Sequence, residues 1–333
     1  MHSSIIVFSL LLVVVFAAIE ENPLSDAFIA KINSLQNSWR AGRNFDVNTP
    51  LSNIKKYTGV KPGYKSKLPT KSVEVAANLP ENFDAREQWP NCQSIKDIRD
   101  QGACDASWAF ATVSTISDRI CIASNGTQQV TLSANDLISC IDTNNDACGG
   151  GPEDSVDAAW SHWTAQGIVS GGGYGSNEGC QTYKIPSCEH YTNGSLPPCG
   201  DIPLPPACTR QCDPSSGLNY KDDLNYGHYI YNIHDNVVHI KSEIFTNGPV
   251  SAVFYMYEDF LSYKSGVYSH TTGDFVGLHA VKLLGWGLDD DLPYWLAANS
   301  WNEDWGDKGY FKIIRGYDEG GIENFISAGT PYI

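Results

Sequence analysis

All ten cysteines of this 333-residue chain fall between Cys92 and Cys212. So crowded a set predicts a fold braced by disulfides and made in an oxidising compartment. No two are spaced as C-x-x-C, which argues against a zinc cage, and neither a metal site nor a cofactor is predicted. Crowding is heaviest in residues 180–228, which are also rich in Pro and Gly and read as loop shaped by disulfides. Upstream, Ile5–Phe16 is apolar except for Ser9 and is followed by Ala17-Ala18. A run of about 12 is too short to cross a bilayer, where roughly 20 are needed. It reads as the signal peptide of a segment 1–18, although its start lacks Lys or Arg. No later stretch is apolar enough for a membrane span, so the chain is expected to be secreted or delivered to a lysosomal or other lumen.

Composition narrows the class. The chain is 42% hydrophobic with nine Trp and 17 Tyr, which excludes disorder. Its formal charge of −16 argues against nucleic-acid binding, which needs cationic surface. Charge is also divided along the chain: residues 19–78 carry +4 and Leu79 onward −20. This predicts a prosegment at 19–78, docked electrostatically on an acidic domain at 79–333 and loosened when carboxylates protonate at low pH. Within it, Leu24, Phe28, Ile32 and Leu35 recur at helical spacing after Ser25/Asp26. Lys61-Pro62-Gly63 and the Lys-rich stretch beyond read as an extended, protease-accessible connector. In the acidic domain, Ser107–Ala123 and Pro152–Gln166 read as amphipathic helices, the second with Val156, Trp160 and Trp163 on one face. After Pro249 come short strands: Val250–Tyr257, His279–Trp286, Tyr294–Asn299 and Gly309–Arg315. Helices first and antiparallel strands later predict an α+β, two-lobed architecture.

The decapeptide Gln101-Gly102-Ala103-Cys104-Asp105-Ala106-Ser107-Trp108-Ala109-Phe110 resembles the nucleophile signature of papain-family cysteine peptidases, with Ser107 where the reactive cysteine stands. Leu278-His279-Ala280 resembles the catalytic-His strand, and Asn299-Ser300-Trp301 with Trp305-Gly306 the orienting-Asn segment. His279 and Asn299 follow Ser107 by 172 and 192 residues, about 40 more than the family spacing. The cathepsin B branch carries such an insertion as a disulfide-bonded occluding loop, which segment 180–212 resembles. Pro23-Leu24-Ser25-Asp26 and Ser38-Trp39-Arg40-Ala41-Gly42 look like its short propeptide, and Phe83–Trp89 like its mature start.

The resemblance implies a papain-like fold: a helical lobe, an antiparallel β-barrel-like lobe and a cleft between them. It implies His279 as base and acid, Asn299 as its orienter, and Gln101 as oxyanion donor. Trp301 would shield the His–Asn bond, and Ala280 would lie among the substrate-binding residues. Gly150 and Gly151 would pair with an extended peptide, Phe325 would floor a pocket for an apolar P2 side chain, and His190 would fasten the occluding loop to Asp100. The implied disulfides are Cys92–Cys121, Cys104–Cys148, Cys140–Cys208, Cys180–Cys212 and Cys188–Cys199. Asn125 and Asn193 are glycosylation acceptors in a secreted chain. His162, His228, His234, His239 and His270 have no motif context and read as surface residues.

Several positions depart from the pattern. Serine at 107 forms no thiolate–imidazolium pair, because an alcohol is a far weaker acid than a thiol and its oxygen is smaller than sulfur. Asp105 stands where the family has Gly, adding bulk and negative charge beside the oxyanion; as an N-terminal cap of the Ser107 helix it would have an ordinary role. Family cysteines read as Thr58, Ile141 and Gly320, the second occluding-loop His as Tyr191, and Leu196 faces Asp304 where an ion pair is implied. Two functions follow. One is a non-catalytic, monomeric pseudoenzyme that binds peptides, proteins or its own propeptide in the cleft. The other is a secreted or lysosomal peptidase using Ser107, His279 and Asn299.

Overall fold

Ser25 opens the first helix: its hydroxyl accepts the Phe28 N–H and caps α1 (Asp26–Leu35). Leu24, Phe28 and Ile32 are buried as the helical spacing predicts. Leu35 is not; it is 58% exposed, because the chain leaves the helix at Gln36 and turns away. The computed structural model describes residues 21–54, 57–141, 146–189, 194 and 196–333. The signal-peptide segment 1–18 and the predicted site residues His190, Tyr191 and Asn193 lie outside the described residues.

The N-terminal segment continues through β1 (Trp39–Ala41), α2 (Leu51–Ile54), β2 (Gly59–Val60) and β3 (Thr70–Lys71). The acidic domain starts with β4 (Phe83–Asp84) and α3 (Ala85–Gln88), then sets out α4 (Ser107–Ala123), α5 (Ala134–Cys140) and α6 (Ser155–Ala165). Then come β5 (Gly227–Ile233), α7 (Val237–Asn247), β6 (Val250–Tyr257), β7 (Tyr263–Tyr268), β8 (Phe275–Asp289), β9 (Leu292–Ala298), β10 (Tyr310–Ile314) and β11 (Ile326–Pro331). Helices precede strands, as the sequence pattern implies. The sheet runs β1-β7-β10-β9-β8-β6-β11-β5-β3, with β2 and β4 paired to β8, and it does not close into a barrel. Two of its pairings, β7 with β10 and β3 with β5, are parallel.

Helix α4 differs from its amphipathic reading: every residue from Ser107 to Cys121 is buried. A helix apolar or small on all sides is a central element, and α4 packs on β8, α6 and β11. Its charged residues are paired inside. Asp118 lies 2.8 Å from Lys282 of β8, and Arg119 lies 2.9 Å from Glu243 of α7. The first pair ties together the two elements that carry Ser107 and His279.

Two hydrophobic cores result. One surrounds the sheet and includes Phe260, Trp301, Trp305 and Phe311; the other surrounds α4 and α6 with Trp108, Trp160 and Trp163. The N-terminal segment joins both, Phe28, Trp39, Phe45 and Tyr57 entering the first and Val60 and Tyr64 the second. Tyr57 to Val60 therefore crosses the cleft. Burial of each such side chain contributes about 1.5–3 kcal/mol, so docking is chiefly apolar. The predicted electrostatic component lies in the lysines that follow: Lys61 pairs with Asp146, Lys67 with Asp154 and Lys71 with Glu243.

The connector from Lys61 is extended but anchored. Asp157 of α6 accepts from the Tyr64 hydroxyl at 2.8 Å, the Ser66 hydroxyl at 2.6 Å and the Lys67 N–H at 2.5 Å. Disulfides join Cys92–Cys121, Cys104–Cys148, Cys140–Cys208, Cys180–Cys212 and Cys188–Cys199, the pairs that the resemblance implies.

Candidate active site

Ser107 is the first residue of α4, and the Cys104–Cys148 bridge fixes the loop before it. His279 lies on β8 opposite Phe254 of β6, and Asn299 follows the end of β9. These elements bring all three side chains into one buried place. His279 Nε2 is 2.8 Å from Asn299 Oδ1, and the Trp301 ring covers the imidazole at 4.9 Å between centroids. Burial holds the imidazole below its ordinary pKa, against opposing hydrogen bonds to Asn299 and to the Thr58 and Tyr57 backbone. Gln101 is clamped at both ends: its Nε2 donates to the Cys104 carbonyl at 2.9 Å and its Oε1 accepts from Ser300 at 2.7 Å.

The Ser107 hydroxyl donates to the carbonyl of Thr58, and its oxygen accepts the Ala280 N–H at 3.0 Å. The same Thr58 carbonyl lies 2.7 Å from His279 Nδ1. Strand β2 pairs with β8 here, Gly59 opposite His279 and Val60 opposite Leu278. The N-terminal segment thus places one carbonyl oxygen against both Ser107 and His279.

The other predicted cleft residues also meet this segment. A side chain on Gly150, which has φ of +92°, would touch Val60 and Lys61. Gly151 backs onto Trp108 instead, with no space for a Cβ. Phe325 packs against Tyr64 at 5.7 Å between centroids and against Tyr255 at 6.2 Å. Asp105 does not cap α4, correcting that expectation: Ala106 is the N-cap residue, with no side-chain bond. The Asp105 carboxyl is buried, which pushes its pKa well above the usual carboxylate range against opposing contributions from the Gly59 backbone and the Thr58 side chain.

Several other predicted positions can also be placed. Asp100 accepts the Gly102 N–H at 2.7 Å and the Asn302 amide at 3.3 Å; its predicted partner His190 lies outside the described residues. Leu196 lines a cavity with Phe45, Tyr57 and Pro198. Asn125 is exposed just after α4 with φ of +52°. His270 is not a plain surface residue: it stacks on Tyr257 at 3.9 Å and reaches buried Asp259. His162 is also half-buried, and burial lowers its pKa to about 4. Sequence reasoning missed the contacts of Thr58 and Gly59 with Ser107. The usable signal was Gly59 inside Tyr57-Thr58-Gly59-Val60, since an isolated Gly in a strand-like run marks close backbone approach.

The papain family cysteine protease model matches residues 79–330, and the peptidase family C1 propeptide model matches residues 24–63. The chain belongs to the papain family of cysteine proteases. This papain-family chain is 43% identical over 314 residues to a cathepsin B-like cysteine proteinase of Schistosoma japonicum, spanning 92% of this chain and 91% of that one. It is 44% identical over 315 residues to cathepsin B-like cysteine proteinase 5 of Caenorhabditis elegans, spanning 92% and 90%. Among solved structures it is similar to proCathepsin B S9 from Trypanosoma congolense, with a TM-score of 0.80 at 38% identity over 94% of this chain and all of that one. The papain-like fold with an N-terminal propeptide is therefore shared. Among the described residues, no helix is long and apolar enough to cross a membrane.

Proposed function

We propose that this papain-family chain is a cathepsin B-like homologue whose cleft binds extended peptide and whose hydrolytic turnover is impaired by Ser107. The observation that carries the reading is the bonding of the Ser107 hydroxyl: its proton goes to the Thr58 carbonyl and its oxygen takes the Ala280 N–H. Burial lowers the His279 pKa, which makes the imidazole a weaker proton acceptor for an alcohol. Asp105 adds the bulk of a buried carboxyl beside the reacting position, where the family pattern has glycine. Residues 19–78 act as the propeptide and residues 79–333 as the peptide-binding domain, made in the secretory route.

A second reading is an active peptidase using Ser107, His279 and Asn299, with Gln101 as the oxyanion donor. It is favoured by the intact His279–Asn299 bond and by relatives named as proteinases. The two are separated by assaying propeptide-free protein on fluorogenic peptides with apolar P2 residues, beside Ser107→Cys and Asp105→Gly/Ser107→Cys forms. Turnover confined to the substituted forms supports the first reading. Turnover by the natural chain that His279→Ala abolishes establishes the second.

A further inference from the structure

The Asn299 side chain is bonded at one end only. Its Oδ1 lies 2.8 Å from His279 Nε2 and accepts the Ser300 N–H at 2.8 Å. The Ser300 bond fixes which way the amide points, because the reverse placement would set two donors against each other. Nδ2 is buried with no hydrogen-bond partner among the described residues, and Asn299 as a whole is 4% exposed. An amide held at one end can pivot, and a buried N–H group without an acceptor is disfavoured.

Asn299 also lines a narrow cavity with about 10 Å³ of room for the centre of a water molecule. That suits one water and nothing larger. Ser300, Ser114, Lys282, Arg99 and Asp97 line it too; Asp97 is exposed and the other four are buried. Lys282 is committed to Asp118 at 2.8 Å. Arg99 is held far more loosely. Its guanidinium reaches the Leu132 carbonyl at 3.4 Å, the Gly171 carbonyl at 3.5 Å and the Asp97 carboxylate at 3.8 Å. All three are longer than an ordinary N–H···O bond, and a guanidinium carries more donors than these contacts use. The Arg99 backbone is tied to the segment that carries Asn299, its carbonyl accepting the Asn302 N–H at 3.2 Å.

We propose that one buried water in this cavity bridges Asn299 Nδ2 and Arg99, so that Arg99 is a positioning residue for the His279–Asn299 pair. The water takes an N–H from the amide and an N–H from the guanidinium on its lone pairs, and its own protons go to the Asp97 carboxylate and the Ser114 hydroxyl. The amide is then held at both ends, which keeps Oδ1 on His279 Nε2. The inference rests on reading His279 and Asn299 as the working pair of the candidate site, which both proposed functions share.

Nuclear magnetic resonance on the full chain, isotope-labelled in the Asn and His side chains, tests this, with backbone exchange in helix 26–35 as reference. The Asn299 amide signals, assigned by their loss in Asn299→Ala, should show a cross-peak to a long-lived bound water. Arg99→Met should abolish that cross-peak and speed solvent exchange of the His279 Nε2–H about ten-fold. Arg99→Lys, which keeps a donor, should preserve much of both. Ser114→Ala, a change that threatens folding least, should raise the exchange rate in the same sense by less. No cross-peak in the natural chain, an Nε2–H rate unchanged in Arg99→Met or in Ser114→Ala, or an equal rise in helix 26–35 would overturn the proposal. Amide and ring protons are read, not hydrolysis, so a failure here is distinct from a failure of the turnover assay.

Discussion

Gly59 lies directly against Ser107, in a left-handed backbone conformation that leaves no room for a side chain. Because the obstructing atoms belong to a buried helix start, the neighbour does not yield. Gly59→Ala should therefore lift residues 57–61 from the cleft while α1 stays docked through Phe28 and Ile32. Limited proteolysis should show new cutting within residues 57–71 and none within 26–35. An unchanged digestion pattern would show that the cleft tolerates a methyl group here.

The folded chain responds to pH through two buried carboxyls of opposite sense. Burial raises the Asp105 pKa, so its contribution is complete below its unfolded pKa and fades as pH rises through the folded value. Asp146 reinforces that direction. Glu243 is the reverse: burial works to raise its pKa, but Arg119, Tyr231 and Lys71 together lower it. Its contribution is present above the unfolded carboxylate pKa and fades as pH falls through the folded one. The uniform low-pH loosening expected from charge alone thus splits into opposing parts. Asp105→Asn should flatten the fall in segment protection on the alkaline side of the carboxylate range, measured by exchange across a pH series.

Much of this was legible in the sequence because short-range chemistry decides it. The Ser25 cap, the Val156–Trp160–Trp163 face and the Val250–Tyr257 strand follow from local pattern, and each stands as read. The misreadings share one cause: long-range packing. α4 is buried on all sides because β8, α6 and β11 enclose it, which no period within its own residues reveals. Asp105 has the residue type of a cap, yet Ala106 takes the N-cap position while the Asp105 backbone is held by Cys148 and Gly150, residues far along the chain. Thr58 reaches Ser107 only because β2 pairs with β8, more than 200 residues later.

Asp259 organises the loop beneath the propeptide helix. Fully buried, it accepts from the Tyr268 hydroxyl at 2.7 Å and from the N–H groups of Thr271 at 2.6 Å and Thr272 at 3.1 Å. The His270 ring lies 3.2 Å from it and titrates above its ordinary value, because the bond to Asp259 outweighs burial. That contribution is complete below the unfolded His pKa and is lost as pH rises through the folded one. The loop receives Trp39 Nε1 on the Ser269 carbonyl at 3.0 Å. Asp259→Ala should destabilise the chain by about 3 kcal/mol by leaving these donors buried and unpaired, with faster exchange at residues 26–41. His270→Gln should remove the part of the pH dependence near neutrality and leave the rest.

The buried Arg119–Glu243 pair gives a stability test on the far side of α4 from Ser107. Arg119 donates to Glu243 at 2.9 Å, to the Gly248 carbonyl at 3.1 Å and to the Gly329 carbonyl at 3.1 Å. Tyr231 adds a 2.6 Å hydroxyl bond to the same carboxylate, and Lys71 of β3 approaches it at 3.9 Å while lying over the Tyr231 ring. Removing one member strands the other charge without solvent, so Glu243→Ala should cost about 3–5 kcal/mol in denaturant unfolding. Glu243→Gln, which keeps the shape and one acceptor, should cost less. Lys71 is one-third exposed, its contact is long, and solvent screens it, so Lys71→Met should cost under about 1 kcal/mol. A Lys71→Met effect as large as that of Glu243→Ala would make Lys71, rather than Arg119, the counter-ion that the core depends on.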